Sequence, residues 1–160
     1  MKKQLKSFFA AFSGIGQAIL TEGHLRFHTV AAVYVIAFSF FYELSAEKWA
    51  VVIMTIALVI SAELVNSAAE SLCDRITKDY DSIIKRVKDI SAAAVLVLAA
   101  GAVCVAFLFY FDIDRIVYIF NYITGRAPLL ILFLLSLIIS VLFIVPGPLV
   151  IAQLFKRKRN

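Results

Sequence analysis

From Trp49 to Arg75 the chain reads WAVVIMTIALVISAELVNSAAESLCDR, an uncharged apolar run that turns at Glu63 into a series of carboxylates and an amide. Glu63, Asn66, Glu70 and Asp74 are separated by three, four and four residues, which at about 3.6 residues per turn places all of them on one helical face. The stretch therefore predicts a helix that spans hydrocarbon and runs on unbroken, as a polar stripe, to about Arg75. An acidic group at the edge of an apolar layer is unfavourable unless it pairs, binds a metal or faces a polar cleft. The stripe is thus a candidate functional site, and Glu63 is its deepest carboxylate.

Working outward, the rest of the chain is equally apolar. Hydrophobic residues make up 62% of the 160 residues and charged residues 17%, with a mean hydropathy of +0.94. Such values exceed those of soluble domains and suit a set of membrane spans. An integral membrane protein of the all-α class is predicted, and this length leaves room for one membrane domain and no sizeable soluble one. Architectures that need a separate nucleotide-binding fold are excluded on that ground. No nucleic-acid partner is expected. Cys73 and Cys104 stand alone, with no second ligand at metal-binding spacing, and read as small buried side chains. The apolar N-terminal residues are interrupted by Lys6, Ser7, Ser13, Gly14, Gly16 and Gln17, so this segment is expected to be retained rather than cleaved as a signal peptide.

Leu5, Phe8, Phe9, Phe12, Ile15, Ile19 and Leu20 recur at helical spacing among Lys2, Lys3, Lys6 and Gln17, which predicts an N-terminal amphipathic helix lying on the membrane surface. Spans are expected at about 29–42, 49–63 with its polar continuation, 91–111 and 127–155. Pro146-Gly147-Pro148 should break or kink the last of these. Tyr42 and Trp49 bracket the loop between the first two spans and read as interfacial anchors, and His24 and His28 as headgroup-facing. Lys2, Lys3, Lys6 and Arg26, then Arg75, Lys78, Lys85, Arg86 and Lys88, then Lys156, Arg157, Lys158 and Arg159 fall on one side of these spans. Only Lys48, Arg115 and Arg126 fall on the other. The positive-inside rule then expects both termini and the acidic stripe on the cytoplasmic face.

A stripe in that position suits phosphoryl transfer, which needs a divalent metal on the phosphates, carboxylates to hold it, a cation against developing charge and a base at the acceptor hydroxyl. Glu22 and Glu70 can hold the metal, Lys88 can meet the phosphates, and Glu63 can take the proton of a lipid alcohol. Neither a P-loop nor a kinase glycine-rich loop is present, which argues against both soluble kinase folds.

The run Glu63-Leu64-Val65-Asn66-Ser67-Ala68-Ala69-Glu70 with Asp74 and Arg75 resembles the signature of the small bacterial membrane kinases that phosphorylate diacylglycerol or undecaprenol. Ala11-Phe12-Ser13-Gly14-Ile15, Glu22 with Arg26 and His28, Asp79-Tyr80, and Lys88-Asp89 followed by Ser91-Ala92-Ala93-Ala94-Val95 fall in the same order and approximate spacing. The resemblance covers roughly residues 5 to 111. It implies a three-span kinase bundle with Glu63 as catalytic base, Asn66 ordering base and phosphates, Glu22 and Glu70 as ligands of Mg²⁺ on ATP, and Asp74 in support. It further implies nucleotide contacts from Asp79, Tyr80 and Asp81 in the loop and from Lys88 and Asp89. A homotrimer with shared active sites, in the bacterial cytoplasmic membrane, is the implied assembly.

Two departures stand out. Glu22-Gly23-His24 replaces the family's Glu-x-Asn, and residues 112–160 extend beyond the kinase domain expected at 1–111, adding one more transmembrane helix and a basic tail. Among substrates, the Phe-rich beginning and the Glu22, Arg26, His28 spacing look more like the undecaprenol-using branch than the diacylglycerol-using one. The alternative from another class is a small transporter or channel subunit. Such a protein would carry polar groups near the midplane and often repeated halves, whereas here the ionisable groups gather at one face.

Overall fold

The computed structural model describes residues 2–151, with side chains from residue 4. Six helices follow one another: α1 (Lys2–Thr21), α2 (Gly23–Ser39), α3 (Ala46–Ile76), α4 (Ser82–Tyr110), α5 (Ile113–Thr124) and α6 (Ala127–Ile144). No strand occurs among the described residues. The expected basic tail, Lys156 to Arg159, lies outside them.

α3 is continuous through the polar stripe, as its unbroken periodicity predicts. Ser45 caps its first turn, accepting from the Lys48 amide. α3, α4 and α6 are long and apolar enough to cross a membrane. α2, with 17 residues, extends about 25 Å at 1.5 Å per residue. It starts and ends earlier than the span expected at 29–42, because Gly23 to His28 join the helix directly after α1 rather than lying ahead of it.

α4 likewise begins before residue 91. The Asp81 carboxylate accepts from the amides of Ile83 (2.7 Å) and Ile84 (3.0 Å), satisfying two of the N–H groups that a helix start leaves open. The charged segment that carries Lys88 and Asp89 is therefore part of the helix. α5 was not foreseen, since residues 112–126 read as a loop. It is capped by Asp112, which accepts from the Arg115 amide at 2.9 Å. Ile119 on its inner face is buried. The added span ends at Ile144, where the expected break occurs: Pro146 cannot donate the next helical hydrogen bond. Gly147 takes φ +71 before a further helical turn to residue 151.

α3 and α4 form the principal antiparallel pair, and α2 packs on α3. Leu25, Val52, Val59, Cys73 and Val95 make the buried core of this three-helix unit. Cys104, expected to be buried, is exposed on α4. An apolar cavity of about 110 Å³ separates α2 from α4, lined among others by Ala32, Val52, Val59 and Val105. At the end remote from α1, Ser39 Oγ lies 2.5 Å from the Tyr110 hydroxyl and Tyr42 donates to the Tyr110 carbonyl at 2.9 Å. The rings of Phe40 and Trp49 meet at 5.3 Å, a belt of the kind aromatic side chains form at a membrane interface.

α6 runs back beside α2, joined to it along its length. Phe133 packs edge-on against Phe38, and Tyr34 places its hydroxyl 2.9 Å from Ser136 Oγ and 3.2 Å from Ser140 Oγ. Near the α1 end, Arg26 Nε donates to the Ile144 carbonyl.

Candidate functional site

The site is assembled by the α3–α4 pair. Glu63 is 3% exposed and Asn66 7%, and both project from the inner face of α3. The Glu63 carboxyl accepts no hydrogen bond from the described residues. No unpartnered polar side-chain atom is fully enclosed, so this carboxyl keeps contact with the surroundings of the chain. One turn on, Asn66 Nδ2 donates to Glu70 Oε1 at 3.0 Å, and Asn66 Oδ1 accepts from the Ser91 hydroxyl of α4 at 2.7 Å. The same hydroxyl lies 2.9 Å from the Lys88 carbonyl. Because Ser91 engages the amide oxygen, the amide nitrogen must face Glu70, and one carboxylate oxygen is left for another partner. A further turn along, the Lys88 ammonium is hydrogen-bonded to Asp74 across the two helices.

The structure thus brings Glu63, Asn66, Glu70, Asp74 and Lys88 onto one seam. Their origin is simple: a 3-4-4 repeat on α3 keeps the stripe facing α4, and Lys88 and Ser91, three residues apart, share one face of α4. Asp89 points elsewhere, pairing with Lys85 at 2.6 Å on the exposed side of its helix. Asp79 and Tyr80 lie in the exposed link between α3 and α4, while Asp81 is occupied as the α4 cap.

Glu22 stands apart. It sits between α1 and α2, half-buried, and accepts from the Thr21 hydroxyl at 3.3 Å. It lines a cleft of about 730 Å³ between α1 and α3, together with Gln17, Thr21, Leu64, Ser67, Ser71 and Leu149. Glu70 is not part of that lining. Among the described residues no group of three or more His, Cys, Asp or Glu could hold a metal ion.

Two residues named in the sequence only as parts of motifs take specific roles in the structure. Ser91, which the sequence offers as the start of a span and as part of the motif after Lys88-Asp89, fixes the Asn66 amide; its spacing from Lys88 is the signal for that role. Arg26, read as the neighbour of Glu22, makes no ion pair with it among the described residues. Arg26 is 7% exposed, and its guanidinium bonds the carbonyls of Ile19 (3.4 Å) and Leu20 (3.1 Å) in the last turn of α1 and of Ile144 at the end of α6 (3.2 Å). Helix C-termini leave carbonyls without partners and carry partial negative charge, so a cation suits this junction.

Comparison with known proteins bears on what this seam does. The profile of the prokaryotic diacylglycerol kinase family matches residues 9–110. The undecaprenol kinase of Bacillus subtilis (strain 168) is 34% identical over 110 residues, covering 69% of this chain and 89% of that protein. The diacylglycerol kinase of Synechocystis sp. (strain PCC 6803) is 38% identical over 102 residues, 63% of this chain and 58% of that protein. For the diacylglycerol kinase of Escherichia coli (strain K12) the values are 29% over 99 residues, 62% and 81%. The match covers α1 to α4, the elements that build the seam, and displaces the transporter or channel reading. The chain belongs to the prokaryotic diacylglycerol kinase family and is a membrane lipid kinase, with ATP as its co-substrate.

Proposed function

We propose that the chain transfers the γ-phosphoryl group of ATP to the hydroxyl of undecaprenol, with Glu63 as general base. The observation that carries this reading is the seam itself: a buried carboxylate at the end of an apolar span, followed in order by an oriented amide, a second carboxylate and a lysine. The alcohol oxygen attacks the γ-phosphorus, its proton passes to the Glu63 carboxylate, and the bond to the bridging oxygen breaks to release ADP. Glu63 suits the role because it lies nearest the hydrocarbon, where a lipid hydroxyl arrives, and is not already engaged by a donor. Lys88, held beside Asp74, supplies positive charge for the phosphates, and the exposed loop with Asp79, Tyr80 and Asp81 borders the same cytoplasmic opening, while Asp89 would reach the nucleotide only by leaving Lys85.

Glu22 and Glu70 offer hard oxygen donors of the type Mg²⁺ takes, and one oxygen of Glu70 is free of Asn66. Mg²⁺ is commonly held by one or two carboxylates with substrate phosphates and water completing its shell, so two carboxylates are enough to hold it on a nucleotide. Bound there, it would offset the charge that develops during transfer. The assembly we propose is a homotrimer with shared sites in the bacterial cytoplasmic membrane, in which Glu22 and Glu70 meet on one ion.

Undecaprenol is favoured by the Glu22, Arg26, His28 spacing and by the near full-length match to the Bacillus protein. The Synechocystis match supports diacylglycerol as the second reading. A mixed-micelle assay offering both lipids with ATP decides between them. Faster turnover of undecaprenol is expected, and preference for diacylglycerol would overturn the assignment of substrate.

A further inference from the structure

The segment after α6 is built into the cleft that holds Glu22. Leu149, itself half-exposed, is part of its lining, alone among the described residues beyond α4. Two features hold it there. Arg26 ties the last carbonyl of α6 to the last turn of α1. Gly147, buried and at φ +71, lies directly against the guanidinium, so that an added Cβ would come 2.9 Å from Arg26 Cζ. Only glycine gives both that backbone conformation without strain and that approach.

The cleft matches a lipid alcohol in polarity. Leu20, Leu64 and Leu149 supply apolar walls, and Thr21, Glu22 and Ser67 supply polar ones. Its α3 wall runs along the catalytic stripe, because Leu64, Ser67 and Ser71 each follow Glu63, Asn66 and Glu70 by one residue, about 100° round the helix. A chain lying between α1 and α3 thus has its hydroxyl end beside the seam. α1, an amphipathic helix, forms the other wall at headgroup level.

Resting on the kinase reading above, we propose that the C-terminal extension forms one wall of the lipid-acceptor cleft, with Leu149 as a specificity-determining residue and Arg26 and Gly147 as the positioning residues that seat it. The extension therefore acts on recognition of the lipid rather than on the nucleotide.

The test compares full-length Leu149→Trp, Leu149→Ala and Gly147→Ala with wild type in micelles containing undecaprenol, recording KM for lipid, KM for ATP and kcat, with oligomer size and thermal unfolding as controls. Leu149→Trp fills the cleft and should raise the lipid KM about tenfold while leaving the ATP KM unchanged, a change within the range by which an apolar pocket discriminates on size. Leu149→Ala and Gly147→Ala should resemble one another, both raising the lipid KM severalfold, because one shortens the wall and the other displaces it. If Gly147→Ala does not assemble, the two Leu149 variants decide. Unchanged lipid KM in Leu149 variants of native size overturns the role of the extension. A wild-type chain that phosphorylates no lipid alcohol overturns the kinase reading beneath it.

Discussion

At the scale of single residues, the site depends on the carboxylates of one stripe having different surroundings. Glu63 is buried and unengaged by any described donor, Glu70 is held by Asn66, and Asp74 is held by Lys88. These differences assign different work. Glu70→Gln and Glu22→Gln should each raise the Mg²⁺ concentration needed for half-maximal activity, since an amide is a poorer ligand than a carboxylate for a hard cation. Excess Mg²⁺ should restore much of the rate in both variants and none in Glu63→Gln. A common response of all three to Mg²⁺, measured by titration of initial rates, would show that the roles are not divided in this way. The stripe was legible because 3-4-4 spacing has one meaning on a helix. What could not be read was its orientation toward α4, or the Ser91 hydroxyl that turns the Asn66 amide, since both depend on how two helices are paired rather than on either alone.

At the scale of the elements, helix ends decide what sequence periodicity leaves open. The span expected from residue 91 starts at Ser82 because Asp81 caps it, and α5 forms because Asp112 caps an amphipathic stretch that the polar residues Asp114 and Arg115 made look like a loop. The caps stand in the sequence as Asp followed by helix-compatible residues, a signal that apolar runs alone do not carry. Asp81→Ala should lower stability by about 1 kcal/mol, measured by unfolding in mixed micelles, with faster hydrogen exchange at Ile83 and Ile84. Asp81→Ser keeps a side-chain acceptor and should restore both. If Asp81→Ser restores the stability but not the ATP KM, the Asp81 charge also meets the nucleotide. Equal stability of wild type and Asp81→Ala would show that the cap contributes nothing.

At the scale of the whole molecule, α2, α3, α4 and α6 alternate in direction, so that the end of α6 returns to the side of α1, where Arg26 joins them. The order of the helices and the spans at α3, α4 and α6 are legible in hydropathy, whereas the contact between the two ends of the chain is not, because no pattern links Arg26 to a carbonyl 118 residues away. We propose, from the distribution of basic residues, that this common side faces the cytoplasm. A cysteine beside Asn160, in a chain with Cys73 and Cys104 replaced, should therefore escape an impermeant thiol reagent in intact cells and react once they are permeabilised. Labelling in intact cells would reverse the topology. The central claim, that the buried carboxylate at the foot of α3 performs the chemistry of a lipid kinase, meets its most direct test in the rate of phosphate transfer from ATP to undecaprenol by purified Glu63→Gln. That substitution preserves size and removes the base. With the same oligomer size and thermal unfolding as wild type, the variant should turn over about 10²- to 10⁴-fold more slowly. Turnover within a few-fold of wild type would contradict the account.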